Sequence, residues 1–505
     1  MTNHLFDGLQ SGIEDADRIF VELPEGRAFT FRDGWAISAR IAHALARLGV
    51  RPGDRVAVQT EKSVWTIMLY LACVRCGAVY LPLNTAYTLT ELDYFLGDAE
   101  PCLVVTDTDR REGLSDVAAS HGALVATLDV DGTGSLLELA GEQPADFENA
   151  ECGAETLAAI LYTSGTTGRS KGAMLTHENL LSNAMVLKEH WRFSPRDRLI
   201  HALPIFHTHG LFVATNVVLA SGASMFLLPK FDTEAVIAAL PESTVLMGVP
   251  TFYVRLLQHD RLDRSQTANM RLFISGSAPL LAETHSAFEA RTGHAILERY
   301  GMTETNMNTS NPYAGRRKAG TVGHPLPGTM LRIRDTGTGN DVSAGDTGMI
   351  EVKGPNVFSG YWRMPEKTAA EFTADGFFIT GDLGRLDEDG YVQIVGRGKD
   401  LIISGGFNIY PKEVETEIDM LEGVEESAVI GLLHPDFGEG VTAVVVRKPG
   451  AACDEQSLLS ALAARLAKFK QPKRIFFVDE LPRNTMGKVQ KNVLRERYKD
   501  IYLKG

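Results

Sequence analysis

The sequence is expected to fold as an α/β protein, with a large N-terminal domain over residues 1–398 and a smaller α+β domain over residues 399–505. Three observations carry that expectation. Short apolar runs suited to buried strands alternate with helical apolar spacing along the first part of the chain, which implies layers built on mainly parallel sheets. From about Gly348 the texture changes to "GMIEVKGPNVFSGYW" and "GFFITGDLGRLDEDGYVQIVGRGKD", short strands punctuated by Gly and Asp turns, an antiparallel segment. The polar, glycine-flanked "GRGKD" near Arg397 to Asp400 then marks a domain boundary.

In chain order, "GWAISARIAHALARLGV" (34–50) has helical spacing and ends before the Pro-Gly of "RPGD", after which "RVAVQT" reads as a strand. "SVWTIMLYLACVRCGAVYLPL" repeats helix and strand, and "CLVVTD", "LAAILYT", "TVLMGVP", "MRLFISG" and "AVVVRK" are further short apolar strands. No repeat of solenoid period and no low-complexity block interrupts them. A chain of 505 residues, 44% hydrophobic and 23% charged, is ample for more than one packed unit.

The formal net charge of −14 argues against a nucleic-acid binder that depends on phosphate contacts, although a local cluster such as "KFKQPKR" (468–474) can still meet a small anion. The N-terminus lacks a cationic start followed by an apolar core, and no uncharged apolar run reaches the roughly 18 to 20 residues a membrane span needs. A soluble, cytoplasmic protein is expected. Five cysteines make an odd set spread over the chain, so no disulfide framework is expected, and Cys73 and Cys76 read as buried structural thiols.

The stretch "LYTSGTTGRSKGAML" (161–175) is a flexible, hydroxyl-rich loop of the kind that cradles phosphate: glycines let N–H groups approach an anion and Lys171 adds charge. It is not a Walker loop, because Lys171 follows Ser170 and precedes Gly172 instead of standing between Gly and Ser or Thr. In order after it come "LPIFHTHGL" (203–211), "SGSAPL" (275–280), "ERYGMTET" (298–305), "TGDLG" (380–384), "GRGKDLIISGGFNIYPKEVE" (396–415) and "LPRNTMGKVQKNVLRE" (481–496). On these ordered segments the chain resembles the adenylate-forming superfamily of acyl-CoA synthetases, adenylation domains and luciferases, over roughly residues 25 to 495.

The resemblance implies a distorted antiparallel β-barrel in the large domain and a mobile C-terminal domain. It also implies a reaction in which a carboxylate joins the α-phosphate of ATP, pyrophosphate leaves, and the acyl group passes to a thiol. Thr163, Ser164, Gly165, Thr166, Thr167, Gly168 and Lys171 would grip the phosphates, with Ser170 where many members have proline. Thr303 would contact phosphate and Glu304 would ligate Mg²⁺, which is usually held by one or two carboxylates plus phosphate oxygens and water. Gly276, Ser277, Ala278, Pro279 and Tyr300, within a run that extends to Glu298 and Gly301, would form the adenine slot. Asp382 matches the carboxylate that accepts the ribose hydroxyls, a turn cap being the alternative, and Arg397 matches a second ribose contact. His207 matches a residue bordering the acyl pocket, whereas His209 reads as a satisfied core histidine. Lys488 matches the lysine that bridges carboxylate and α-phosphate, and Lys491 is left at the surface. Asp400 matches the hinge, and Gly405 with Gly406 the strand lining a tunnel for the pantetheine of CoA. Lys468, Lys470, Lys473 and Arg474 are candidates for CoA phosphates, solvated charge being the alternative.

Arg299 stands where many fatty-acyl and aryl members have glycine, so a guanidinium is expected at the end of the acyl pocket. A buried charge needs a partner, which disfavours a greasy acyl chain and favours a second carboxylate gripped by two parallel hydrogen bonds. In this "ERYGMTET" resembles the malonyl-CoA synthetases, with Arg255 a candidate second clamp, a helix-surface arginine being its alternative, and Ser275 a candidate hydrogen-bonding group for the acyl chain. The expected activity is ATP-dependent synthesis of malonyl-CoA, with methylmalonate tolerated. The alternatives are a CoA synthetase for another short acid, an enzyme that loads a carrier protein, and a nucleotide-binding sensor without turnover. Lys488 is also a conceivable target for a protein acetyltransferase.

Overall fold

The structure, a computed structural model, describes residues 2–163, 170–277, 280, 282–335, 337–397, 402–409, 411–482 and 489–503, leaving aside the side chains of 395–397, 408, 412 and 416. Two compact units emerge: one of Met1–Thr85, Phe95–Leu161 and Gly172–Gly396, the other of Ala86–Tyr94, Tyr162–Lys171 and Arg397–Gly505.

In the first unit, the first long helix is Phe31–Arg47, so it begins at Phe31 and not at residue 34. The cause is a capping box: Thr30 accepts from the Asp33 N–H, and the Asp33 carboxylate accepts from the Thr30 N–H. Helix Val64–Cys76 is apolar on all sides, and every residue but Trp65 is buried, as a helix enclosed by a core requires. Its Cys73 and Cys76 are free, buried thiols, and burial pushes Cys76 up to about 12, so they are packing groups.

Two large sheets organise this unit. One runs, from edge to edge, through Gly360–Tyr361, Lys171–Thr176, Leu157–Thr163, Val79–Pro82, Arg55–Gln59, Leu103–Thr106 and Leu124–Thr127, with parallel pairing from Leu157–Thr163 onward. The other has nine strands, of which Ile19–Glu22, Ser224–Leu227, Arg198–His201, Val245–Gly248, Leu272–Ser275 and Leu297–Met302 pair in parallel. Near-continuous Val, Ile, Leu and Met in these strands reflect burial on both faces. The antiparallel segment is a four-stranded sheet, Met330–Arg334, Gly348–Lys353, Phe378–Leu386 and Val392–Arg397. It starts before Gly348, because "MLRIR" is itself a strand paired along its whole length with Gly348–Lys353.

The second unit carries a sheet of Phe407–Ile409, Ile402–Ser404, Gly438–Arg447 and Val424–His434, with Arg474–Val478 parallel to Gly438–Arg447. Among the described residues no helix is long and apolar enough to cross a membrane.

Asp197 anchors the strands that lead to the site. Its buried carboxylate accepts from Arg271 Nε at 2.7 Å and Nη2 at 2.9 Å, from Thr244 Oγ1 at 2.8 Å and from the Ser194 N–H at 2.8 Å. Burial raises its pKa, yet the Arg271 hydrogen bonds and charge outweigh burial and hold it below the usual carboxylate value. The contribution is therefore present above the unfolded carboxyl pKa, near 4, and lost as pH falls through it toward the folded value. Asp197→Ala is expected to cost about 3–5 kcal/mol by stranding the Arg271 charge, read as a lower urea midpoint at pH 7. The gap between wild type and variant should shrink below about pH 4.

Candidate active site

Strands Leu272–Ser275 and Leu297–Met302 lie side by side, with Ser275 opposite Glu298. Side chains alternate along a strand, so Glu298 and Tyr300 leave one face and Arg299 the other. On the first face the Tyr300 hydroxyl donates to Asp382 Oδ2 at 2.6 Å, so two residues expected at the nucleotide are brought together across 82 positions of sequence. Asp382 is 2% exposed on the long antiparallel strand Phe378–Leu386. Glu298, expected nearby, is instead occupied: His285 Nδ1 lies 3.2 Å from its Oε1, which also accepts from the Gly320 N–H at 3.2 Å. Burial pushes this carboxyl up.

The strand ends in a turn that carries Thr303, half-buried, and Glu304, 5% exposed. A Thr-Glu pair often starts a helix, but here it joins Leu297–Met302 to the antiparallel strand Asn306–Ser310. Tyr361 Oη lies 3.1 Å from Glu304 Oε1 and 2.6 Å from Glu371 Oε2. One hydroxyl proton thus stands between two carboxylates, and burial followed by their charges pushes the tyrosine's pKa far up. Buried, clustered carboxylate oxygen is the donor chemistry Mg²⁺ takes, so Glu304 fits the ion that the resemblance implies.

On the opposite face, Arg299 is 3% exposed. Its Nε and Nη2 have no hydrogen-bond partner among the described residues. Burial pulls its pKa down to about 9, a shift that Tyr253 partly offsets, so it stays charged at neutral pH. A Cβ on Gly276 would lie 2.3 Å from Arg299 Cζ, so the guanidinium lies against the backbone where only glycine leaves room. Among the described residues Thr208 Oγ1 is also buried without a partner, as is Ser275 Oγ, which belongs to the other face because Ser275 stands opposite Glu298. His207 is pushed down to about 4, first by burial and then by the Arg299 charge. Its Nδ1 accepts from the His209 backbone N–H at 3.4 Å, which leaves the ring proton on Nε2.

Helix Pro250–Leu257 brings the fully buried Tyr253 close to Arg299, and its hydroxyl donates to the Ile274 carbonyl at 2.5 Å. Arg255, the expected second clamp, stands exposed on the same helix. Tyr253 was missed because its hydroxyl and aromatic ring read as ordinary core.

The loop expected to bind phosphate is flanked by Leu157–Thr163, which ends at Thr163, and by Lys171–Thr176, which begins at the buried Lys171. Ser164, Gly165, Thr166, Thr167 and Gly168 lie outside the described residues, as do Ala278, Pro279, Asp400 and Lys488; Arg397 ends strand Val392–Arg397 with its side chain undescribed. In the second unit, Gly405 and Gly406 have φ of 59° and 82° and form the two-residue turn between Ile402–Ser404 and Phe407–Ile409. A hairpin turn with two positive φ values selects glycine for itself, a structural reason beside the expected tunnel.

The basic cluster resolves differently from the expectation. Lys470 is 2% exposed, 2.7 Å from Glu413 and 3.1 Å from Glu91, and Arg474 Nε donates to Glu455 at 3.0 Å. Lys468 is exposed and Lys473 Nζ sits 3.6 Å from the centre of the Phe437 ring, so these two alone are left for a phosphate. Lys491 is not a surface lysine either, since it pairs with Glu415 at 2.5 Å.

Residues 12–362 match the AMP-binding enzyme family, and residues 413–488 its C-terminal domain, the AMP-binding enzyme C-terminal domain. The solved structure of apo MatB from Rhodopseudomonas palustris is 61% identical, covers 99% of this chain and 100% of its own, and gives a TM-score of 0.79. A malonyl-CoA ligase ternary product complex with methylmalonyl-CoA and AMP bound is 36% identical over 95% of this chain and 100% of its own, with a TM-score of 0.82. Malonate–CoA ligase of Arabidopsis thaliana is 35% identical, covering 89% of this chain and 78% of that protein. With the AMP-binding enzyme family matched over residues 12–362 and its C-terminal domain over 413–488, the chain belongs to the AMP-binding enzymes.

Proposed function

We propose that this AMP-forming acid–thiol ligase is a malonyl-CoA synthetase: malonate, ATP and CoA give malonyl-CoA, AMP and pyrophosphate, with methylmalonate also accepted. The observation that carries the acid is Arg299, a buried guanidinium whose Nε and Nη2 have no partner among the described residues. The edge they form offers two parallel donors, the geometry a carboxylate accepts, and no acidic side chain of the described residues meets it. The malonate–CoA ligase of Arabidopsis thaliana and the complex holding methylmalonyl-CoA support the same acid class.

The chemistry then divides among the residues. Asp382, aligned by the Tyr300 hydroxyl, accepts the ribose hydroxyls. Arg299 holds the distal carboxylate so that the proximal one meets the α-phosphate, with the neutral His207 beside it. Glu304 would hold Mg²⁺, which neutralises charge on the triphosphate when bound. Lys488 supplies positive charge where two anions meet and negative charge builds in the transition state. The acyl adenylate formed first is then attacked at its carbonyl by the thiolate of CoA, expelling AMP. ATP and free CoA as substrates fit a cytoplasmic site of action.

Pyrophosphate exchange with a panel of acids tests the reading. Malonate is expected to support exchange best, methylmalonate next, and acetate and propionate at least ~30-fold less in kcat/KM, since a monoacid leaves the buried charge unpaired. Exchange with acetate and none with malonate would refute it.

A further inference from the structure

The segment that carries His207 is closed by a hydrogen bond between its two ends. His201 ends strand Arg198–His201 and is buried, at 1% exposure. Its Nε2 lies 2.9 Å from the carbonyl oxygen of Gly210, nine positions further along the chain. A carbonyl only accepts, so Nε2 carries the ring proton and donates. Burial, and after it the Lys62 charge, keeps the ring neutral, which leaves a lone pair on Nδ1. Lys62 Nζ meets that lone pair at 3.0 Å and also donates to the His201 carbonyl at 2.7 Å.

Gly210 lies in a π-helix, His209–Thr215, a form that is rare and collects at functional sites. The first residue of that helix, His209, was expected to be a satisfied core histidine; it is buried, but its Nε2 has no partner among the described residues. The Gly210 carbonyl takes a second hydrogen bond from Thr215 Oγ1 at 3.1 Å. A Cβ on Gly210 would stand 2.1 Å from the Pro204 carbonyl oxygen, so the segment folds back on itself where only glycine fits. Lys62 is braced from the other side. It follows strand Arg55–Gln59 of the seven-stranded sheet, the Glu61 N–H donates to Asp107 at 3.1 Å, and Ser63 Oγ accepts from the Thr66 N–H at 3.2 Å to cap helix Val64–Cys76. Lys62 and His201 thus join the C-terminal ends of parallel strands from two sheets, the edge at which α/β folds bind ligands.

We propose that Lys62 and His201 are positioning residues for the first half-reaction: Lys62 fixes the tautomer of His201, and His201 Nε2–H grips the Gly210 carbonyl and so holds His207 at the acid pocket. This rests on the reading of the chain as a synthetase whose acid enters beside His207. Without Lys62 the ring is free to carry its proton on Nδ1, and Nε2 then faces the Gly210 oxygen lone pair to lone pair. The Thr215 hydroxyl alone would be left to hold that carbonyl. A displacement of about 1 Å in a group aligned with the reacting atoms is enough to cost on the order of 100-fold in rate, so the loss is expected in kcat. Binding of ATP, assigned to Asp382 and Tyr300 on other strands, is expected to be spared.

Malonate-dependent pyrophosphate exchange, with KM and kcat separated, is compared in wild type, His201→Leu, His201→Gln, Lys62→Met, and Lys62→Met combined with His201→Leu. Glutamine places an amide N–H near Nε2 and offers an oxygen to Lys62. His201→Leu is expected to lower kcat about 10- to 100-fold while the KM for ATP changes by less than about 3-fold. His201→Gln is expected to recover most of that loss. Lys62→Met is expected to lower kcat about 10-fold, and the combined variant to fall no further than His201→Leu, because Lys62 acts through His201. Equal losses in His201→Leu and His201→Gln would mean a structural role and overturn the proposal. So would losses that multiply in the combined variant. A wild type that exchanges on another acid and not on malonate overturns the reading of the acid alone; the variants are then ranked on that acid, where the same pattern supports the proposal and any other overturns it. A wild type without exchange on any acid overturns both.

Discussion

Arg299→Met is expected to abolish malonate activation, with kcat/KM for malonate falling ~30- to ~5000-fold, while propionate is used as well as or better than by wild type. The range follows from about 2–5 kcal/mol for truncating one partner of a buried, hydrogen-bonded charge pair. Methionine is the informative replacement because it fills most of the volume without a charge or a hydrogen-bond donor. The same variant carries an independent signature. An arginine that held the fold through a salt bridge would destabilise the protein when removed. Among the described residues Arg299 has no partner on Nε or Nη2, and burial, partly offset by Tyr253, pulls its pKa down to about 9, so the free enzyme holds this charge at a cost. Arg299→Met should therefore melt at the same temperature as wild type or higher in the absence of acid, and lose the rise in melting temperature that malonate gives wild type. A lower melting temperature together with equal losses on malonate and propionate would refute the assignment.

How much of this was legible in the sequence follows from how local each signal is. The ordered loops were legible because their residue types answer to chemistry that local backbone supplies, and Tyr300 and Asp382 were both named although 82 positions apart. The burial of Arg299 was legible because it stands where many fatty-acyl and aryl members of the family it resembles have glycine, at the expected end of the acyl pocket. His209 was not, since in sequence a histidine beside apolar residues looks like any core histidine, and only the packing leaves its Nε2 without a partner among the described residues. Helix Pro250–Leu257 shows a different limit: that Tyr253 is buried while Arg255 stands exposed depends on the strands the helix packs against. Lys470 and Lys491 were misread for a third reason: their partners Glu91, Glu413 and Glu415 are 379, 57 and 76 positions away, so two lysines that looked solvated make three ion pairs invisible in the local sequence. The early start of helix Phe31–Arg47, by contrast, was available all along in the Thr30–Asp33 capping box.

Lys488→Ala is expected to reduce the first half-reaction about 100- to 1000-fold, measured as malonate-dependent pyrophosphate exchange, and to leave thioester formation from supplied malonyl-AMP and CoA largely intact. The asymmetry comes from where charge develops. In adenylation a carboxylate approaches a phosphate, two anions in one pocket, and a fixed cation is worth most at the moment their repulsion peaks; one lost electrostatic contact of this kind costs about 3–4 kcal/mol. In thioester formation the acyl group is already a mixed anhydride, the attacked carbonyl is neutral, and AMP departs with its charge on the phosphate, so no second anion has to be held against the first. Methionine or alanine at 488 should behave alike, because size is not what the step needs. Lys488→Arg keeps the charge but replaces a compact ammonium by a planar fork, and is expected to recover only part of the rate. Acetylation of Lys488 would remove the charge as alanine does, so protein treated with an acetyltransferase should lose exchange and regain it on deacetylation. Equal loss of both half-reactions in Lys488→Ala would remove the division of labour on which that regulation depends, since a lysine needed for both steps would be acting on binding and not on the encounter of two anions.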